Sequence, residues 1–269
     1  MIIQHNIAAI NSYRNLGTNQ SALSKNLEKL SSGYKINRAG DDAAGLAISE
    51  SMRSQINGLN QAINNANDAI GLIKTNEGAL TETHAMLQRL TTLASQSANG
   101  TYNTVARGNL QQEVSRLMDE IDRIASATNF NDIYSLSGGD TMSFQIGPSA
   151  AETITVKGQN MTRAGISISG VNVSSQTGAN KAIDSIKSAI DCVSSFRAAL
   201  GAAQNRIEHT VNNLKVTSEN ITDAESRIRD TDMADEITAF TKNNILLQAS
   251  QSMLAQANSV PQNILSLLQ

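Results

Sequence analysis

The sequence predicts a mainly α-helical protein, in which N- and C-terminal segments form a long coiled-coil-like rod and a small β-hairpin region lies in the middle. Three observations support this prediction. Apolar residues recur every seventh position over a long C-terminal stretch, and the centre of the chain changes to two-residue alternation. Only 3% of the residues are aromatic and only two are proline. That composition suits long helices better than a compact enzyme core.

Helical periodicity begins close to the N-terminus, where the first apolar stripe consists of Leu16, Leu23, Leu27 and Leu30. Residues 31–42 interrupt this stripe, because Gly33 and Gly40 break a helix. Asp41 or Asp42 can then cap the helix that starts at Ala43. Two more stripes follow, between residues 56–87 and 110–124, with a polar turn at 97–104 between them.

The centre of the chain, from about residue 130 to 175, reads as short strands. Runs 142–146 and 153–157 alternate and flank Gly147-Pro148-Ser149, as strands flank a hairpin loop. Runs 166–168 and 171–173 alternate in the same way. The heptad pattern then occupies residues 181–229, as Ile186, Val193, Leu200, Ile207, Leu214, Ile221 and Ile228. A helix about 75 Å long, at about 1.5 Å per residue, needs helical partners from the N-terminal half.

Both ends of the chain lack charge. Residues 243–269 and residues 1–13 contain no Lys, Arg, Asp or Glu, yet their many amide and hydroxyl side chains argue against a membrane span. A solvated helix would carry charges on its outer face, so burial against other protein explains the pattern. The predicted assembly contacts are Ile3, Ile7, Ile10, Leu23, Leu27, Leu30, Leu247, Met253, Leu254, Val260, Ile264, Leu265 and Leu268.

Several functional classes find no support. The net charge of −3 gives no footprint for nucleic acid, and the single Cys192 rules out an intrachain disulfide framework. Asp230, Asp232 and Asp235 miss the calcium-loop spacing, and no group of acid, base and nucleophile emerges. We therefore expect no enzyme activity, metal or cofactor. The N-terminus has no pattern of a cleavable signal peptide, so we expect a cytoplasmic chain or export by another route.

Three segments resemble one family. Residues 26–48 (NLEKLSSGYKINRAGDDAAGLAI) and residues 225–236 (ESRIRDTDMADE) closely resemble the N- and C-terminal signatures of bacterial flagellins. Residues 245–268 are similar to the C-terminal end of flagellins almost residue for residue. The resemblance implies a structural subunit of the flagellar filament. Only residues 176–180 separate the last alternating run from the long helix, so it implies a short form without outer variable domains.

The resemblance also implies a domain layout. An inner domain of paired terminal helices would comprise residues 1–42 plus 235–269, and a rod domain would comprise residues 43–234 with its β-hairpin region at about 130–175. The implied partners are copies of the chain itself, the flagellar cap protein, the hook-associated junction protein and an export chaperone at the C-terminal segment. The implied location is the extracellular filament, reached through the flagellar type III apparatus without a cleavable signal peptide.

The family carries a surface recognised by Toll-like receptor 5. By resemblance, its central arginine corresponds to Arg89, its leucine to Leu93 and its glutamate to Glu113. Thr91 and Thr92 stand where responsive members commonly have Arg and Glu, so fewer charges surround these three residues.

Three alternatives to a filament subunit are weighed against the sequence. A hook–filament junction or cap protein shares parts of the terminal sequence pattern. Electron microscopy would distinguish it from a filament subunit by the number of copies in each filament. An enzyme with an inserted domain would need more room than residues 176–180 provide. A coiled-coil adaptor would leave the uncharged ends unexplained.

Overall fold

The computed structural model describes residues 6–138 and 140–267, with side chains described as far as residue 262. In these residues the chain forms five helices and one antiparallel hairpin: α1 (Ile7–Ser32), α2 (Ala43–Ala98), α3 (Thr104–Ala127), β1 (Thr141–Gln145), β2 (Thr153–Lys157), α4 (Gln176–Arg229) and α5 (Met233–Leu267). The prediction of a mainly α protein with a small central hairpin is confirmed. Two compact units are present, Met1–Ile56 with Asn220–Gln269 and Asn57–Glu219, and the divisions fall inside α2 and α4.

The first unit pairs α1 with α5 in antiparallel fashion. Asn19 Nδ2 on α1 donates to Ser250 Oγ on α5 at 2.8 Å, and Lys29 Nζ near the end of α1 lies 3.7 Å from Glu236 near the start of α5. Gly33 ends α1 in the left-handed conformation, with φ of 75°, and donates its N–H to the Lys29 carbonyl. The two terminal segments of the sequence therefore meet along their helices.

A proline lies within α5, where its missing N–H leaves a carbonyl without its helical partner. For Pro261 this is the carbonyl of Ala257, and Asn6 Nδ2 donates to it at 2.7 Å. Asn6 Oδ1 also accepts the N–H of Ala9 at 3.1 Å, which caps α1. One side-chain amide thus caps one helix and repairs the hydrogen bonding of the other.

The connectors before α2 and before α5 pair with each other in the first unit. Tyr34 and Asp230 form an isolated antiparallel bridge. The Lys35 N–H donates to the Arg229 carbonyl at 2.8 Å, and the Thr231 N–H donates to the Gly33 carbonyl at 2.9 Å. The break predicted at residues 31–42 is therefore joined by backbone hydrogen bonds to the connector before α5.

Aspartate side chains begin the helices that follow these connectors. Of the two predicted candidates for the start of α2, Asp42 is the cap, because its Oδ1 accepts the Gly45 N–H at 2.9 Å. Asp232 Oδ1 accepts the Ala234 N–H at 2.9 Å at the start of α5, where Asp235 and Glu236 also complement the helix dipole.

The second unit buries the predicted heptad stripe. Ile186, Val193 and Ile207 of α4 are fully buried, and Leu200 and Leu214 are 1% and 8% exposed. All of these except Leu214 belong to one core with residues of α2 and α3, among them Leu80, Leu87, Leu90, Val114 and Ile121. The last two members, Ile221 and Ile228, are partly exposed and belong to the first unit.

The central hairpin has the predicted position and loop. Phe144 pairs with Ile154 and Met142 with Val156, and residues 146–152 connect the strands. Ile154 and Val156 point into the core while their neighbours are exposed.

Residues 166–168 lie at the end of a turn and residues 171–173 have no regular secondary structure, so the prediction of strands there was wrong. Their apolar side chains are buried in alternation, but the backbone bonds locally, as where the Val171 N–H donates to the Ile168 carbonyl at 3.1 Å. The Val173 N–H donates to Gln111 Oε1 on α3 at 2.6 Å. Alternate burial therefore arose without a neighbouring strand.

Candidate functional site

The α1–α5 pair leaves most of its apolar surface uncovered. Asn26 is the single buried residue among those described in α1, and none of the side chains described in α5 is buried. Large apolar side chains are at least 40% exposed at Ile7, Ile10, Tyr13, Leu27, Ile237, Ile245, Leu246, Met253 and Val260. Because an exposed apolar surface of this extent marks contact with protein or lipid, we call these nine residues the terminal apolar surface.

The predicted assembly residues divide into three groups on this pair. Five are exposed: Ile7, Ile10, Leu27, Met253 and Val260. Four are partly buried: Leu23, Leu30, Leu247 and Leu254. The other four, Ile3, Ile264, Leu265 and Leu268, lie outside the residues whose side chains the structure describes.

The charge-free stretch coincides with the distal part of α5. Lys242 is the last charged residue, and the helix continues to Leu267 with amide, hydroxyl and apolar side chains. None of the helices in the described part of the chain is both long enough and apolar enough to cross a membrane. Contact with other protein chains is the explanation that the terminal apolar surface favours.

A largely buried arginine at the end of α4 contacts both α2 and the connector before it. The Arg229 side chain is 12% exposed, and its Nη1 lies 2.5 Å from Glu50 Oε1 on α2. Its guanidinium carbon lies 4.7 Å from the centre of the Tyr34 ring, within cation–π range. Sequence reasoning missed this arrangement, because no spacing rule links residues 34, 50 and 229.

Asp41 organises the connector ahead of α2. Its Oδ2 accepts the Arg38 N–H at 3.1 Å and the Asn37 N–H at 3.3 Å. The pKa of Asp41 lies below its ordinary value, chiefly because the Arg38 N–H stabilises the carboxylate, with Asn37 and the charges of Lys25 and Lys29 acting in the same direction. These hydrogen bonds therefore favour the ionised form of Asp41.

The three residues of the predicted receptor surface lie in the second unit but differ in accessibility. Arg89 on α2 and Glu113 on α3 are 54% and 43% exposed in their side chains, and Arg89 Nη2 lies 2.7 Å from Glu113 Oε1. Leu93 is 1% exposed and belongs to the core. Arg89 and Glu113 therefore form a solvent-facing ion pair, whereas Leu93 is buried in the core and is not accessible at the surface.

Metal-ligating residues do not cluster in the described residues, where no three His, Cys, Asp or Glu side chains are placed to bind one ion. Cys192 is half-buried, and Gln159 Nε2 lies 3.3 Å from its Sγ.

The fold and the terminal apolar surface define the class: a helical structural protein built for contact with other protein chains. Comparison with known families agrees with this class. The model of the bacterial flagellin N-terminal helical region matches residues 3–141, and that of the C-terminal helical region matches residues 183–268. The flagellins of Bacillus subtilis (strain 168) and Halalkalibacterium halodurans are each 49% identical to the chain, over 303 and 274 residues, and both alignments cover all of each protein.

The chain belongs to the bacterial flagellin family, whose members are structural proteins and not enzymes. The flagellar filament 30.7 kDa core protein of Treponema maltophilum is 46% identical over 284 residues, with all of both chains covered. The predicted resemblance is therefore confirmed, and the length of 269 residues agrees with a short form.

Two solved structures share the fold. The Bacillus cereus flagellin structure matches with a TM-score of 0.51 and 32% identity, over 56% of this chain and 88% of that chain. A putative flagellar hook-associated protein from Vibrio parahaemolyticus matches with a TM-score of 0.60, over 71% of this chain and all of that one. Because only 14% of the aligned residues are identical, this match shows a shared fold alone.

Proposed function

We propose that this chain is a structural subunit of the bacterial flagellar filament and polymerises with copies of itself through the terminal apolar surface. The observation that carries this proposal is the large apolar exposure of α1 and α5 beside a stretch without any charged residue. Each large aliphatic side chain buried at an interface contributes roughly 1.5–3 kcal/mol, and no charge has to be desolvated along the distal part of α5. Family membership supports the same function.

The domain layout follows from this role. The inner domain, residues 1–42 plus 235–269, would form the wall of the central channel, and residues 43–234 would form the rod domain. Amide and hydroxyl side chains of residues 243–262 could face a watery channel without strong attraction for the unfolded subunits that pass through it. The four assembly residues outside the described side chains, Ile3, Ile264, Leu265 and Leu268, belong to the proposed inner contacts.

Further partners and the location are part of the proposal. The subunit would leave the cell unfolded through the flagellar type III apparatus, without a cleavable signal peptide. A chaperone would cover the apolar C-terminal segment before export. Outside the cell, polymerisation would take place beneath the cap protein and upon the hook-associated junction protein.

Seeded polymerisation tests the assembly role. The chain without residues 243–269 should not extend filament seeds, whereas the full chain should. Met253→Lys is a finer variant: Met253 is 64% exposed, so its replacement should leave the free chain folded. It should block elongation by placing a charge in an apolar contact.

Val216→Lys is the matched control, since Val216 is 57% exposed on α4 and lies in the second unit. It should elongate at the parent rate. Normal elongation by Met253→Lys or by the truncated chain would overturn the role of the terminal apolar surface.

We also propose that the surface around Arg89 and Glu113 is a ligand for Toll-like receptor 5. Arg89→Ala should reduce receptor signalling by the monomer, because it removes an exposed guanidinium from the surface. Arg123→Ala is the matched control: Arg123 pairs with Glu120 on α3 with similar exposure, 63% and 41%. Equal signalling by the two variants would contradict this assignment.

The alternative to a filament subunit is a hook–filament junction or related axial protein. Copy number separates the two functions. If the labelled chain is found along the whole filament, it is the filament subunit. If the label is confined to one end, the chain is the junction protein.

A further inference from the structure

The chain contains two Asn-Gly dipeptides in different backbone settings. Asn57-Gly58 lies inside α2, and Asn99-Gly100 lies in the turn between the end of α2 at Ala98 and the start of α3 at Thr104. Both asparagine side chains are exposed. The pair therefore differs in backbone conformation and not in access to water.

Asn-Gly is the dipeptide best suited to spontaneous deamidation. The backbone nitrogen of the glycine attacks the side-chain amide carbon of the asparagine, forms a five-membered succinimide and releases ammonia. One water then opens the ring to aspartate or isoaspartate, so one ammonia leaves and one water is consumed. Glycine has no Cβ to obstruct the attack, and the backbone must be free to rotate into the ring-closing conformation.

The turn leaves the attacking nitrogen available at Asn99, while the Asn99 backbone itself is held by hydrogen bonds from its N–H to the Gln96 carbonyl at 3.3 Å and from the Tyr102 N–H to its carbonyl at 3.4 Å. The Gly100 N–H makes no hydrogen bond within the described part of the chain. The Thr101 N–H donates to Asn99 Oδ1 at 3.3 Å, which draws electron density from the amide carbon that is attacked. The Gly100 nitrogen is thus available as the nucleophile, and the Asn99 side-chain amide carbon is activated as the electrophile.

Helix α2 protects the other dipeptide. Within a helix the Gly58 N–H is engaged with the carbonyl four residues earlier, and the backbone dihedrals are held far from those that close the ring. Ring closure at Asn57 therefore requires local opening of α2.

We propose that Asn99 is a spontaneous modification site of this protein, which converts to aspartate or isoaspartate while Asn57 persists. Arg107 is placed to receive the new charge. Its Nη2 contacts the Asn99 main-chain oxygen at 3.0 Å, and its Nε contacts the Ser97 carbonyl at 2.9 Å. In the isoaspartate product, the former main-chain carbonyl carbon of residue 99 carries the free carboxylate. Arg107 then pairs with a negative charge at the position where it now holds a neutral oxygen.

Peptide mapping of the full-length chain during incubation in mildly alkaline buffer tests this proposal. The peptide with residue 99 should gain about 1 Da and divide into two chromatographic species, as expected for a covalent change of amide to carboxylate. The peptide with residue 57 should remain unchanged over the same period. Conversion of residue 57 as fast as residue 99, or no conversion at residue 99, would overturn the proposal.

Gly100→Ala is the matched variant. A Cβ at position 100 meets no atom within 4 Å, and the glycine has no positive φ, so the variant should fold as the parent does. If its Cβ adds about 1.4 kcal/mol to the barrier, conversion at residue 99 slows about tenfold. An unchanged rate would contradict the succinimide route.

A denatured sample completes the design. In concentrated urea, α2 is unfolded and residues 57 and 99 should convert at similar rates. If residue 57 resisted conversion even there, helix α2 would not be the source of its protection, and the structural argument would fail.

Discussion

At the scale of single residues, Asn6 is the clearest case of one side chain acting on two helices. It caps α1 through Ala9 and supplies the donor that Pro261 withholds from the Ala257 carbonyl. Neither contact could be predicted from the sequence. Asn6 and Ala257 are 251 positions apart, and Asn6 is one of several polar residues near the N-terminus that could cap α1.

Asn6→Ala should destabilise the α1–α5 pair by about 1–3 kcal/mol, since it removes a cap and leaves a carbonyl without a partner. In the Pro261→Ala background the new N–H serves the Ala257 carbonyl, so the same substitution should cost less. Amide exchange of residues 7–13 measures both effects. Asn19→Ala, which removes a bond to Ser250, is the control whose cost should not depend on residue 261. An equal cost of Asn6→Ala in both backgrounds would contradict the repair of the proline gap.

At the scale of elements, the connector before α2 responds to acid through Asp41. Because the folded pKa of Asp41 lies below its ordinary 3.8, the stabilisation it provides is complete above that value and is lost as the pH falls through the lowered pKa. The Asn37 and Arg38 amide signals should therefore shift together at acidic pH in an NMR titration. Asp41→Asn should abolish that transition, and an unchanged titration would rule out Asp41 as its origin.

The elements also show how far the sequence could predict the fold. Helix periodicity predicted α2, α3 and α4 because their apolar stripes are buried within the chain, as at Leu80, Ile121 and Ile186. Two-residue alternation predicted the hairpin correctly but failed at Ile166–Ile168, where the same alternation occurs in turns. Periodicity reports which side chains are buried and not which backbone partner is present.

The candidate site was predictable for a different reason. The absence of charge in residues 243–269 marked α5 as a contact surface, and α5 proves to have no buried side chain among those described. Contacts between distant residues, such as Arg229 with Tyr34 and Glu50, depend on tertiary placement and left no signal in the sequence.

At the scale of the whole molecule, the two units differ in how much apolar surface each buries. The second unit has a continuous core, whereas α1 and α5 are exposed on most of their surface. Local stability follows buried contacts, so in the free chain the amides of residues 7–32 and 240–260 should exchange much faster than those of residues 80–121. In polymerised filaments the difference should disappear. Equal protection of both regions in the free chain would contradict coupling of terminal order to assembly.

The tyrosines give this architecture an optical signature. The chain has no tryptophan and four tyrosines, so tyrosine dominates its near-ultraviolet absorbance and emission. Tyr13 is 69% exposed within the terminal apolar surface, and Tyr34 lies beneath the Arg229 guanidinium. Tyr102 and Tyr134 belong to the second unit, where they serve as an internal reference. Elongation can thus be followed in real time by label-free spectroscopy, through the passage of one phenol ring from water into protein.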